Sequence, residues 1–165
     1  MENQDTKDTL WKLYQDHYTQ VRHYETQRST VTNLLLTIAA ALLAFVTYDK
    51  ALTRSDIPLT TLIFIIGLFG AAFSLKYHER SSFHYTRLLQ YRDKLDELLS
   101  EPGILSRLRE DAVKKHTAEF PMLYKGKLHW WKVHRLWVFL HLLVSLFGLV
   151  LTILAIFWPR AASMS

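Results

Sequence analysis

The sequence predicts an all-α integral membrane protein with three transmembrane helices and a cytoplasmic helical bundle, and three observations lead there. Half of the 165 residues are hydrophobic and 13% are aromatic, whereas 21% are charged. The apolar residues are not dispersed by a helical or strand period but gathered into three uncharged runs separated by charged segments. The basic residues fall mostly on one side of those runs.

Residues 1–30 read as a cytoplasmic amphipathic helix. Leu10, Tyr14, Val21 and Tyr24 recur at three- and four-residue spacing, with Trp11 and Tyr18 beside them, and Asp8 is placed to cap or lead the helix. No Gly or Pro occurs before residue 58, so one helix from about Thr6 to Tyr48 is expected to run into the first apolar run. That run, Val31 to Tyr48, has 18 residues, the second, Ile57 to Leu75, has 19, and the third, Leu136 to Trp158, has 23. At 1.5 Å per residue they reach about 27, 28 and 34 Å, against a hydrocarbon core of roughly 30 Å. A secretory leader fits poorly, because the first 30 residues carry five acids against four bases and the apolar run starts late.

The spans are therefore expected at 31–48, 57–75 and 136–158, the first two forming a hairpin over 31–75. Between the second and third spans, residues 76–135 carry thirteen Lys and Arg, compared with four before the first span and one after the third. This excess places 76–135 and the N-terminus in the cytoplasm and the tail 159–165 outside a cell inner (plasma) membrane. Within 76–135 a helix continues through Tyr77, His84, Leu88, Tyr91, Leu95 and Leu98, a seam suited to packing on the N-terminal helix. Ser100-Glu101-Pro102-Gly103 stops it, since the residue before proline disfavours the helical region and Gly103 is free to take positive φ. A further helix over about Ile104 to Glu119 is expected to turn Ile104, Leu108 and Ala112 to one side, and Pro121 to end it.

Lipid gives helices no hydrophobic reason to associate, so small and hydrogen-bonding residues mark their contacts. On the first span these are Asn33, Thr37, Ala40, Ala44 and Thr47, and on the second Gly67, Gly70, Ala71 and Ser74. On the third, His141, Ser145, Gly148 and Thr152 fall within a band about 60 degrees wide. The stripe formed by His141, Ser145, Gly148, Thr152, Asn33, Thr37, Gly67 and Gly70 is expected either to pack helices, within one chain or in a homo-oligomer, or to line a pore. His141 is the ionisable member, expected to bond Asn33 or a neighbouring hydroxyl.

Arg107, Arg109, Lys114, Lys115, Lys125 and Lys127 form the densest basic stretch. They suit anionic headgroups of the lipid bilayer or an anionic small molecule such as a nucleotide second messenger. Trp130, Trp131 and Trp137 interleave with bases at the approach to the third span. No catalytic, cofactor or metal motif is recognised: His78-Glu79 with His84 misses the H-E-x-x-H spacing, His129 and His134 project to different faces, and no phosphate-binding loop or nucleophile elbow occurs. The chain has no cysteine, which excludes disulfides and thiol chemistry.

The segment LWKLYQDHYTQVRHYETQR before the first span and the Y-H-E-R…Y-T-R…Y-R-D-K-L-D-E-L pattern after the second resemble the bacterial SLATT domains, two-helix membrane effectors associated with nucleotide-signalled defence. They are also similar to the RipA-type octameric membrane proteins. The likeness spans roughly residues 10 to 99, and the third span is additional to the two-span unit. It implies an oligomeric inner-membrane effector, triggered by a ligand or partner, that alters permeability in antiviral defence. The alternative expectation is a non-conducting scaffold that holds subunits or an unidentified protein partner by its cytoplasmic helices.

Overall fold

A computed structural model of the chain describes residues 2–48, 51–124 and 133–157. It is helical throughout, with no strand among the described residues. Helix α1 is Glu2–Val46, a 3-10 turn occupies Arg54–Asp56, and α2 is Ile57–Glu97. Then follow α3, Ile104–Glu119, the single turn α4, Pro121–Tyr124, and α5, Val133–Phe157. Three helices are long and apolar enough to cross a membrane, with mean hydropathies of 2.0, 2.0 and 2.6 in their most apolar stretches. The tail 159–165, Trp130 and Trp131 lie outside the described residues.

The helix ends follow from local chemistry. Asp8 does not cap α1, which begins six residues earlier; its carboxylate instead accepts the Gln4 amide at 3.1 Å, a pairing along the first turns. Before α2, the Asp56 carboxylate accepts both the Thr53 backbone N–H at 2.8 Å and the Thr53 hydroxyl at 2.9 Å, closing the turn that precedes Pro58. At the far end of α2 the chain reverses through Gly103, whose φ of +87° lies where a side chain would be strained. α3 ends as the Phe120 N–H donates to the His116 carbonyl at 3.0 Å and Pro121 follows.

The chain divides into two compact units, one made of Met1–Thr26 with Tyr77–Lys132, the other of Gln27–Lys76 with Val133–Ser165. In the first, the inward residues of α2 are Leu88, Ser81 and Asp96, with Tyr77, His84 and Tyr91 half-buried between them. The expected apolar side of α3 is not used in this way. Leu108 is 61% exposed, Ala112 is exposed, and α3 has no buried residue. Leu108, Ala112 and Val113, set among Arg107, Arg109, Lys114 and Lys115, are all exposed and do not hold this 16-residue helix against its neighbours, and α3 is held by its first turn instead.

In the second unit the core is built from small residues. Thr32, Ala39 and Val46 are buried on α1, Thr60, Ile63, Gly67, Gly70, Ala71 and Ser74 on α2, and His141, Ser145, Gly148 and Ala155 on α5. The large apolar side chains point the other way: Phe45 is 71%, Ile65 52% and Leu146 57% exposed.

Candidate functional site

Within the second unit, α2 and α5 run antiparallel and meet along one seam, and the third-span stripe lies in it. A Cβ placed on Gly70 would collide with the His141 imidazole, one on Gly67 with the Ser145 backbone and side chain, and one on Gly148 with the backbone of Ile63 and Phe64. At the next step the Thr152 hydroxyl lies 3.0 Å from that of Thr60, which donates to the Ile57 carbonyl at 3.1 Å. The four α5 residues thus face Gly70, Gly67, Phe64 and Thr60 in order, a small-to-small contact that brings two backbones together. His141 and Thr152 find hydrogen-bond partners inside the chain, and the stripe acts as a packing seam.

α1 closes this unit through a face different from the expected one. His141 Nε2 sits 3.2 Å from the Thr32 hydroxyl, so of the two expected kinds of partner, Asn33 or a neighbouring hydroxyl, it meets the hydroxyl. Asn33, Thr37, Ala40, Ala44 and Thr47 are all exposed. The reason is that Thr32, Ala39 and Val46, spaced by seven, give α1 a flat narrow edge, while the hydroxyls on the other stripe need no neighbour. Thr37 donates to the Asn33 carbonyl at 2.8 Å, and Thr47 to that of Leu43 at 3.0 Å. Packing of α1 on α5 is looser, leaving an apolar groove of about 320 Å³ lined by Leu36, Leu43, Val144 and Phe147 among others. At the start of α5 the Arg28 guanidinium stands 6.0 Å from the Trp137 ring centroid, a cation–π arrangement.

The first unit carries the titratable chemistry. α1 and α2 meet through rings: Tyr24 lies 5.7 Å from Tyr77 and 5.4 Å from His84, and His17 lies 5.3 Å from Tyr91. At the centre, His17 Nδ1 and His84 Nδ1 are 2.9 Å apart. Burial first, and then the charges of His17, Arg87 and Arg80, push the His84 imidazole below its usual 6.5.

Asp96, 3% exposed, ties α2 to α3. Its carboxylate accepts the Leu105 N–H at 2.9 Å, the Ser106 N–H at 3.1 Å and the Ser106 hydroxyl at 2.8 Å, so an acid near the end of one helix caps the start of the next. Burial opposes its charge, but these bonds outweigh that cost and hold the carboxyl below 3.8.

The basic residues separate. Arg107 pairs with Glu101, Lys114 approaches Asp111 at 3.8 Å, and Lys115 is exposed on α3. Arg109, with Arg92 of α2, edges a groove of about 290 Å³ walled by Tyr14, Tyr18, Tyr85 and Leu88. Lys125 and Lys127 lie outside the described residues. No group of three or more His, Cys, Asp or Glu able to hold a metal occurs among the described residues.

Comparison with family models, curated proteins and solved structures gives no match. Sequence reasoning missed His17, Asp96, Thr32 and Thr60. His17 had a readable signal, since it occupies the open place in the series Leu10, Tyr14, Val21, Tyr24. Thr32 had a weaker one, seven residues before Ala39.

Proposed function

We propose that this chain is a three-span protein of a cell inner membrane, oligomeric and non-enzymatic, that acts as a ligand- or partner-triggered effector of permeability. The observation that supports it best is the inverted second unit, with small and hydroxyl-bearing residues inside and Phe45, Ile65 and Leu146 outside, an arrangement suited to lipid. The thirteen bases of 76–135 favour a cytoplasmic N-terminus and an outside C-terminus. An alkaline phosphatase reporter fused after Ser165 should be active and one inserted at Gly103 silent; the reverse pattern would overturn this orientation.

Because His141, Ser145 and Gly148 are consumed by the seam with α2, a permeation path would have to form between subunits rather than along that stripe. The outward Asn33, Thr37, Ala40, Ala44 and Thr47 stripe of α1 is suited to the contact between copies. The Arg92 and Arg109 groove, walled by tyrosines, suits an anionic ligand with an aromatic ring, the class to which nucleotide messengers belong. α1 and α2 each contribute residues to both units. The non-conducting scaffold remains the competing reading, favoured by the closed α2–α5 seam. Dye release from liposomes carrying the purified protein separates them: release that rises on adding nucleotides supports the effector, and dye retention at every nucleotide tested supports the scaffold.

A further inference from the structure

We propose that His17 and His84 form an acid-sensitive clasp between α1 and α2 of the first unit, closed by one shared proton and opened by a second. The pair brings two imidazoles, 67 residues apart in sequence, to 2.9 Å within this seam. An imidazole pair at 2.9 Å is at hydrogen-bond distance, which requires one Nδ1 to carry a proton and the other to offer its lone pair. When both rings are charged, both Nδ1 atoms are donors. The bond is lost, and two like charges face each other with ring centroids 5.0 Å apart.

A metal explains the spacing less well. Two imidazoles on a tetrahedral zinc, each about 2.0–2.1 Å from the ion, stand about 3.3 Å apart, and linear coordination needs about 4 Å. The observed separation is shorter than both.

The surroundings oppose the second proton. From α2, Arg80 and Arg87 act on His84, and Arg87 is held 4.8 Å from the centroid of Phe83, itself 5.5 Å from His84. Tyr77 and Tyr91 of α2 and Tyr24 of α1 complete the ring cluster. Arg92 and, from α3, Arg109 edge the adjoining groove. On α1, Asp16 lies along a different groove with Lys12 and Arg22.

The direction of pH dependence follows. The folded His84 holds its second-state proton less readily than a free imidazole, so the closed form is fully favoured above about 6.5 and is lost as pH falls below that value. With one extra proton bound in the open form, its population should rise by up to about tenfold per pH unit across this window.

The chain lacks cysteine, so Gln20→Cys and Ser82→Cys, both at exposed positions, allow a spin-label pair across the clasp in the full chain in nanodiscs. The distance distribution should be short at pH 7.5 and acquire a longer population at pH 5.0. His17→Asn or His84→Asn should remove that pH response, and His23→Asn should keep it. An unchanged distribution between the two pH values would overturn the clasp, as would a response that survives in both Asn variants. A short distance at pH 7.5 that disappears with EDTA would replace the proton by a metal. Should the Asn variants fail to fold, ¹⁵N spectra of the wild-type imidazoles decide: one protonated and one bare Nδ1 at pH 7.5, both protonated as the distance lengthens, is expected, and two rings titrating independently of the distance contradicts it.

Discussion

The α2–α5 seam of the second unit and the α1–α2 seam of the first both join antiparallel helices, yet with opposite means. At Gly67 and Gly148 the backbones, and at Gly70 the His141 ring, approach until no Cβ fits, and hydrogen bonds such as that between Thr152 and Thr60 complete the contact. At His17, His84, Tyr24 and Tyr77 the rings fill the space between helices, and the central bond depends on a proton. A seam of small residues is stiff toward added volume. A seam of rings tolerates adjustment and responds to acid.

The largest expected effect therefore sits in the glycines. Gly70→Leu should destabilise the protein by about 3 kcal/mol, because the His141 ring it meets is pinned on Thr32 and cannot yield, as denaturation in mixed micelles would measure. A Gly70→Leu protein of unchanged stability would mean that the two helices do not approach as described. In the ring seam, removal of volume is the corresponding damage. Leu88→Ala, at a site 6% exposed, should cost about 2–3 kcal/mol, whereas Leu108→Ala at 61% exposure should stay within about 0.5 kcal/mol. Equal losses at the two leucines would return α3 to a packed bundle.

Asp96 offers a more local effect. Asp96→Ala should raise hydrogen exchange at the Leu105 and Ser106 amides by about fivefold and leave the α2–α5 seam untouched. Since the folded carboxyl titrates below its usual value, its contribution is complete above about 3.8 and is lost as pH falls through the depressed folded value. The acid response of α3 thus lies well below that of the histidine clasp, and exchange followed across pH 3–7 should resolve two separate steps. The smallest effect is expected at the hydroxyls: Thr152→Val should cost about 0.6 kcal/mol and Thr37→Val less, because the Thr37 hydroxyl bonds only its own helix.

Period and volume explain what was legible in the sequence. The 60-degree band of α5 faces a partner because small residues on one side of an otherwise Leu- and Phe-rich helix can serve only close approach. On α1 the Asn33, Thr37 and Thr47 stripe does not make the contact within the chain: Thr37 and Thr47 bond their own backbone carbonyls, and the buried edge is Thr32, Ala39 and Val46. His17 was hidden because a histidine in an amphipathic period counts as polar, although its place in the series is an inward one. Asp96 was hidden for a different reason: its partners, Leu105 and Ser106, come within reach only after Gly103 has turned the chain. The Ile104, Leu108 and Ala112 face was legible as a pattern but lacks the apolar area to bury itself.

The central claim is that the polar stripe of α5 is closed against α2 of the same chain. Thr60→Cys with Thr152→Cys tests it directly, since the two hydroxyls lie 3.0 Å apart and no other cysteine competes. Oxidation in native membranes should give an intrachain disulfide, seen as a monomer of altered mobility that reverts on reduction. A ladder of covalent dimers, or no disulfide at all, would show that the stripe faces another subunit or an open path, and would contradict the account.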